Sequence, residues 1–260
     1  MIQVDDVQVG YGDTLIIDSL TLTIPKGKIT TVIGPNGCGK STLIKTIARI
    51  LKARSGAIYL DGKAISRTST QKIARKMAIL PQTAEAPAGL TVRELVTYGR
   101  FPHQSKFGKL KQDDLDAIDW ALEVTSLQEL EKRPVEALSG GQRQRVWIAM
   151  ALAQDTEVVI LDEPTTYLDM AHQLDILQLL GKLNEEQHKT IVMVLHDLNH
   201  ASRFSHHLIA LRDGKLVQQG APHEVMTAAN LQEVFQIQAM LTVCPFSQNP
   251  ICLSYGMKEA

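Results

Sequence analysis

Gly34-Pro35-Asn36-Gly37-Cys38-Gly39-Lys40-Ser41 decides the reading of this 260-residue chain. The stretch fits G-x-x-x-x-G-K-[ST] and lies between an apolar run, Lys28–Ile33, and a helical segment, Thr42–Leu51. In that segment Leu43, Ile47 and Ile50 recur on one helix face. Strand, glycine-rich turn and helix start are what phosphate binding requires. Glycines let successive backbone N–H groups turn inward on phosphate oxygens. The helix N-terminus adds a favourable dipole. Lys40 is then placed to reach β- and γ-phosphates, and the Ser41 hydroxyl to ligate Mg²⁺. A plain glycine turn before a helix is the alternative, but the full eight-residue pattern is rare by chance at average glycine usage. Cys38 has two readings: a thiol activated by the helix N-terminus, or a small residue tolerated at a variable position. The second is preferred.

Working outward, Ile2–Val9 alternates like a half-buried strand, and Leu20–Ile24 leads through Pro25-Lys26-Gly27 into Lys28–Ile33. Ala57–Leu60 with Asp61-Gly62 reads as strand and turn, and Ala78–Leu80 as a short strand stopped by Pro81. From about Pro87 the character changes. Thr91 and Glu94 form a capping-box pattern, Leu115, Ile118 and Leu122 recur at helical spacing, and no strong strand returns before Val158. This is a helical insertion. Val158–Leu161 and Ile191–Leu195 are buried-strand runs separated by a helical segment (Leu174, Leu177, Leu180), a βαβ rhythm that predicts a parallel sheet. Asp213-Gly214 between Leu208–Leu211 and Lys215–Gln218 signals a hairpin. A helix around Leu231–Phe235 and a last hairpin, Met240–Cys244 with Ile251–Tyr255, complete the chain.

Composition excludes several classes. Lys plus Arg number 27 and Asp plus Glu 28, a net charge of −1, with 44% hydrophobic and 21% charged residues. Such a chain is globular rather than disordered, and its neutral balance argues against an obligate nucleic-acid binder. No apolar run approaches the roughly 18–20 residues of a membrane span. The first residues have neither the basic region nor the apolar core of a secretion signal. Three cysteines, Cys38, Cys244 and Cys252, are too few for a disulfide scaffold. The expectation is a soluble cytosolic protein. Adjacent His206 and His207 face apart and are expected at the surface. Cys244 and Cys252 are expected on facing strands of the tail hairpin, as free thiols rather than a bridge or metal pair.

Two further elements carry chemistry. Val158-Val159-Ile160-Leu161 ends in Asp162-Glu163, so a buried strand delivers two carboxylates at the ligand edge of a parallel sheet. Asp162 suits the Mg²⁺ shell, and Glu163 suits polarisation of an attacking water, worth roughly 10²–10⁴ in rate. Acids that merely end a strand are the bland alternative, weakened by the phosphate loop. Leu138-Ser139-Gly140-Gly141-Gln142 opens a helical run, Arg143–Gln154, and forms a second anion cradle. Its bland alternative is a serine N-cap followed by flexible glycines.

With these in order, the sequence resembles the ATP-binding subunits of ABC transporters over nearly its whole length. Gly34–Ser41 resembles Walker A, Val158–Glu163 Walker B, and Leu138–Gln142 the family signature. Tyr11 resembles the aromatic that stacks on adenine, Gln82 the Q-loop glutamine, Leu168-Asp169 the D-loop, and His196 the switch histidine. Taken singly, Tyr11, Gln82 and His196 are more often packing or solvated residues; their joint occurrence at family spacing changes that. The resemblance implies an α/β fold: a P-loop NTPase (RecA-like) core with a mainly parallel sheet, an antiparallel β subdomain and an inserted helical subdomain. It implies a core of residues 1–86 and 157–236, a helical subdomain of 87–156 and an extension of 237–260. It further implies that ATP contacts Tyr11, the loop from Gly34 through Thr42, Ser139, Gly140, Gly141, Gln142 and Asp169. Mg²⁺ would be held by Ser41, Gln82 and Asp162, with Lys40, Gln82, Glu163 and His196 serving catalysis. Two chains would close head to tail on ATP. His196 would contact the γ-phosphate and orient Glu163 and the water.

Finer features, Tyr98-Gly99-Arg100-Phe101-Pro102-His103, Thr165–Gln173 and Leu195–His200, resemble ATPases of importers for ferric siderophores, haem and cobalamin, the ferric-siderophore group most closely. Tyr167 departs from the smaller residue common in the family. The partners implied are a second copy, membrane permease subunits and, indirectly, a substrate-binding protein, at the cytoplasmic face of the membrane. No direct contact with the cargo and no nucleic acid are implied. The competing class, soluble ABC proteins acting on nucleic acid or ribosomes, usually carries two cassettes or a long coiled coil, absent here. Exporter subunits, often fused to spans, fit less well still.

Overall fold

The computed structural model of the protein describes residues 1–83, 86–104 and 109–257. Residues 105–108 of the expected helical insertion and 258–260 of the extension lie outside the described residues. The chain runs β1 (Ile2–Tyr11), β2 (Thr14–Ile24), β3 (Ile29–Ile33), α1 (Lys40–Ile47), β4 (Ser55–Leu60), β5 (Lys63–Ala64), α2 (Thr70–Ala74) and β6 (Met77–Leu80). It continues through α3 (Val92–Thr97), α4 (Gln112–Val124), α5 (Gly140–Ala153), β7 (Val158–Leu161), α6 (Met170–Gln187) and β8 (Thr190–Val194). Last come α7 (Leu198–Phe204), β9 (His207–Arg212), β10 (Lys215–Gly220), α8 (Pro222–Val225), α9 (Ala228–Phe235), β11 (Ile237–Val243) and β12 (Pro250–Met257). Two compact units result, Met1–Thr68 with Thr190–Ala260, and Ser69–Lys189.

The first unit holds an antiparallel sheet in the order β2-β1-β4-β5 and the strands β10-β9-β3-β8. Its antiparallel sheet buries Ile2, Val4, Val7 and Val9 of β1 with Ile17, Leu20, Leu22 and Ile24 of β2, the alternation of a sheet with one covered face, broken by register shifts around Val7. In contrast β3 and β8 are buried along their whole length, as a parallel strand covered on both faces must be. β3 pairs in parallel with β8, Val32 opposite Val194, and with β9. The Asp213-Gly214 hairpin joins β9 to β10.

Three details differ from the sequence reading. Helix α1 stops at Ile47 and Arg49 turns to φ 61°, so Ile50 leaves the helix face and is 59% exposed. His207 is half-buried at the start of β9, where burial holds its imidazole below the usual range; only His206 is exposed, and its Nδ1 accepts the Ile29 N–H at 3.1 Å. In the tail hairpin Cys252 lies opposite Leu241, while Cys244 falls just past the end of β11, so the two do not face each other; both are free thiols.

The second unit holds the parallel pair β6 and β7, Leu80 opposite Leu161, and the helical stretch. Thr91 and Glu94 close the capping box that their spacing predicts: the Glu94 N–H donates to Thr91 Oγ1 and the Thr91 N–H to Glu94 Oε2. Val92, Leu95, Ile118, Leu122, Val146 and Ile148 build the core among α3, α4 and α5. Arg100 is buried beside them. Its Nε donates to Asp114 Oδ1 at 2.8 Å and its Nη1 to the Ala153 carbonyl at 2.7 Å, while Asp114 Oδ2 accepts the Lys111 N–H.

Burial pushes the Asp114 carboxyl up, but the Lys111 N–H and the Arg100 guanidinium outweigh it and hold it below the ordinary carboxylate range. The carboxylate's contribution to stability is therefore whole above that range and is lost as the pH falls below it. Asp114→Ala leaves Arg100 buried without its counter-ion and is expected to destabilise by about 3–5 kcal/mol, read by denaturant unfolding. Arg100→Met combined with Asp114→Leu is expected to lose less, because no charge is then stranded.

Candidate functional site

In the first unit the phosphate loop leaves the carboxyl end of β3, the end at which open α/β sheets bind ligands. Gly34 (φ 152°), Gly37 (φ 79°) and Gly39 (φ 102°) all adopt conformations that side chains disfavour. Their surroundings differ. A Cβ on Gly34 would lie 2.2 Å from the Leu211 carbonyl oxygen and 2.7 Å from Cys38 Sγ. On Gly37 it would meet nothing within 4 Å, so this glycine faces open space. Gly39 caps α1 and packs on Ile17.

Lys40 begins α1 and is buried, its Nζ donating to the Gly34 and Pro35 carbonyls at 2.8 Å each. The ammonium is thus held inside the loop by that loop's own backbone. Ser41 and Thr42 follow in the first turn of α1. Burial pushes the Cys38 thiol up and outweighs the nearby Lys40 charge, so Cys38 is a packed thiol rather than an activated one. The Gly214 N–H donates to the Cys38 carbonyl at 3.1 Å. The β9–β10 turn therefore buttresses the loop, a role that its hairpin signal did not reveal.

Also in this unit, Tyr11 ends β1 and is 49% exposed. It is opposite Thr14 across a tight turn, where Arg54 Nη2 donates to the Gly12 and Thr14 carbonyls. His196 follows β8 at the same level as Gly34 follows β3, because Val32 and Val194 are paired. It is exposed, and Asp197 behind it caps α7 by accepting the His200 N–H at 2.7 Å.

In the second unit, register does similar work. Leu80 pairs with Leu161, so Gln82 and Glu163, each two residues on, emerge level. Gln82 Nε2 donates to Glu163 Oε2 at 2.7 Å, and Thr166 Oγ1 donates to the same oxygen at 3.0 Å. Glu163 sits at φ 56°, a conformation rare for a residue with a side chain. Asp162 is buried at the strand end, and its N–H donates to the Leu80 carbonyl. Thr166 was not singled out from the sequence; its only signal is a hydroxyl three residues beyond the acid.

Ser139 caps α5 in a reciprocal box with Gln142: the Gln142 N–H donates to Ser139 Oγ at 3.3 Å and the Ser139 N–H to Gln142 Oε1 at 3.1 Å. The bland reading and the functional one thus coexist, since a capped helix start is also an anion cradle. A Cβ on Gly140 would meet nothing within 4 Å. Asp169 caps α6, accepting the His172 N–H on Oδ1 at 2.9 Å. The backbone N–H of His172, first, and then its ring hold the Asp169 carboxyl below its usual range.

The family model described as ABC transporter matches residues 17–166. The chain belongs to the ABC transporter family. This cassette is 61% identical over 253 residues to the iron(3+)-hydroxamate import ATP-binding protein of Bacillus subtilis, covering 97% of this chain and 94% of that protein. Among solved structures it resembles a chain of a putative metal-chelate type ABC transporter in an inward-facing conformation (TM-score 0.83, 29% identity, 97% and 96% covered). It also resembles a dimeric bacterial ABC transporter cassette (TM-score 0.75, 31% identity, 85% and 98% covered). The cassette is an ATP-binding, ATP-hydrolysing subunit with the mixed α/β fold of P-loop NTPases. Cassettes of this family form dimers and, in importers, pair with a membrane permease.

Gly34→Ala is expected to lower the thermal midpoint and abolish ATP binding, because its Cβ meets backbone. Gly37→Ala is expected to keep stability within about 1–2 kcal/mol, the strain of its left-handed conformation alone. Thermal unfolding together with a nucleotide titration separates the two.

Proposed function

We propose that this cassette is the ATP-hydrolysing subunit of an importer of ferric siderophores, with ferric hydroxamates as the first class to test. It works as a head-to-tail dimer bound to permease subunits, peripheral on the cytoplasmic side of the membrane. The cargo reaches the permease through a substrate-binding protein and never touches this chain. The likeness to an iron(3+)-hydroxamate import ATP-binding protein over nearly the full length supports the cargo class. Among the described residues no helix is long and apolar enough to cross a membrane, in keeping with a separate permease. Haem and cobalamin are the second reading, carried by the same motif stretches.

The observation that carries the hydrolytic part is the Glu163 carboxylate, steered by Gln82 and Thr166 onto one oxygen. The carboxylate is assigned to the attacking water. Glu163 polarises that water, which adds to the γ-phosphorus as the bond to ADP breaks. Lys40 and the backbone N–H groups of Gly34, Asn36, Gly37, Cys38 and Gly39 hold the phosphates, with Pro35 fixing the turn between them. Thr42 adds a contact beside them, and Tyr11 stacks on the adenine. Ser41, Gln82 and Asp162 offer an all-oxygen donor set of the kind that Mg²⁺ takes together with substrate phosphates. A Mg²⁺ held there would supply neutralisation of the charge that develops on the phosphates. His196 contacts the γ-phosphate. Ser139, Gly140, Gly141 and Gln142 of the second copy close on the same triphosphate, with Asp169 beside them, so that ATP joins the two chains.

In this reading residues 1–86 and 157–236 form the ATPase core, 87–156 the helical subdomain and 237–260 an extension. A cavity of about 330 Å³ lined by Pro87, Val135, Glu136, Arg143 and Trp147 suits docking of a permease loop: an apolar floor with one charge of each sign at its rim.

Lys40→Ala is expected to abolish ATP turnover; normal activity would remove the phosphate loop from the mechanism. Glu163→Gln is expected to hold an ATP-dependent dimer on a sizing column and, from native membranes, to retain a many-spanning permease identified by mass spectrometry. Recovery of ribosomal or DNA-repair proteins without a permease would replace the import reading by the soluble class.

A further inference from the structure

The two glycines of the signature owe their identity to different neighbours. Gly140 faces open space, as close approach of an anion to backbone requires. Gly141 does not: a Cβ there would lie 2.5 Å from His172 Cδ2 and within about 3.1 Å of two further ring atoms. It lies within the first turn of α5 and has no left-handed φ to call for glycine. What it makes room for is the His172 imidazole.

His172 is in turn placed by Asp169. Oδ1 of Asp169 accepts both the His172 N–H at 2.9 Å and Nδ1 at 2.7 Å, a short charge-assisted contact that fixes the ring plane. One turn along, Arg145 Nη2 donates to Asp175 Oδ2 at 2.7 Å, joining α5 to α6 beside the same contact. Gln173 Nε2 holds the Leu168 carbonyl at 2.9 Å, so the chain on both sides of Asp169 is tied to α6. Asp169 itself is 66% exposed, and Tyr167 before it is 94% exposed at φ 65°. The carboxylate is therefore open to an approaching group, while the ring it holds bears on the start of the Ser139 cradle.

We propose that His172 is a positioning residue through which the placement of Asp169 sets the first turn of α5, and with it the Ser139-Gly140-Gly141 cradle. This rests on the reading of that cradle as a phosphate site completed by a second chain. With Asp169 in place the imidazole is oriented and Gly141 is seated against it. When Asp169 is drawn away, the ring loses the carboxylate that orients it and turns, and the backbone at Gly141 gains space. The D-loop and the signature of one chain thus change together, although they lie some thirty residues apart in sequence. His172 touches neither nucleotide nor water in this scheme, so it is not a catalytic residue.

The test uses the cassette assembled with its permease and measures kcat, KM for ATP and the thermal midpoint. His172→Phe keeps a ring against Gly141 but cannot donate to Asp169. His172→Asn puts an amide N–H near the place of Nδ1. The expected result is kcat roughly fivefold to tenfold lower for His172→Phe, with KM within about twofold and little change in midpoint, the loss of one hydrogen bond felt in turnover. His172→Asn is expected to recover most of the loss. Wild-type kcat in His172→Phe would overturn the proposal. So would His172→Asn no better than His172→Ala, with both falling in step with their thermal midpoints, since that is a purely structural role. Ser139→Arg separates the underlying reading: it is expected to bind ATP yet not hydrolyse it. Normal turnover in Ser139→Arg would remove the cradle from the reaction whatever His172 does.

Discussion

Parallel strand pairing sets the level at which the phosphate loop, Gln82, Glu163 and His196 leave their strands. Leu80 opposite Leu161 fixes Gln82 and Glu163 side by side, and Val32 opposite Val194 fixes the start of the phosphate loop level with the approach to His196. Slipping either pair by one residue would send each side chain to the opposite face of its sheet. Register is held by burial: β3, β7 and β8 are enclosed along their whole length, so no slipped arrangement keeps the same core. Hydrophobic pairing inside the sheet thus decides polar geometry at its edge.

At that edge the backbone departs from ordinary conformations, and each departure is compensated nearby. Glu163 at φ 56° is held by hydrogen bonds from Gln82 and Thr166. Gly34 turns against the Leu211 carbonyl, while the β9–β10 turn reaches back through Gly214 to Cys38. Strained positions of this kind persist where the surroundings over-determine them, and they concentrate at working sites. The buried Lys40 follows the same logic. A desolvated ammonium is expensive unless hydrogen-bonded, and the two loop carbonyls keep it satisfied.

Much of this was legible because the signals are local. The phosphate loop, the Thr91 capping box, the Asp213-Gly214 hairpin and the buried runs at Val158 and Ile191 each depend on neighbours within a few residues. The misses share a different character. Ile50 continues the helical period, yet Arg49 turns the chain away before that period can matter. His207 is adjacent to an exposed histidine but is drawn inward by the start of β9. Cys244 and Cys252 are separated by the register and length of a hairpin that composition does not specify.

The sequence by itself therefore determined the class of fold, the ATP chemistry and the residue types that serve it, since glycine placement, apolar runs and strand-end acids are dictated by backbone freedom and by the exclusion of charge from the core. Only the tertiary structure decided which of those residues work together. Thr166 joining Gln82 on Glu163, Gly214 bracing the phosphate loop and His172 filling the space left by Gly141 all depend on contacts between segments distant in sequence or on side-chain geometry within a turn. Such contacts follow from packing, which sequence periodicity does not encode.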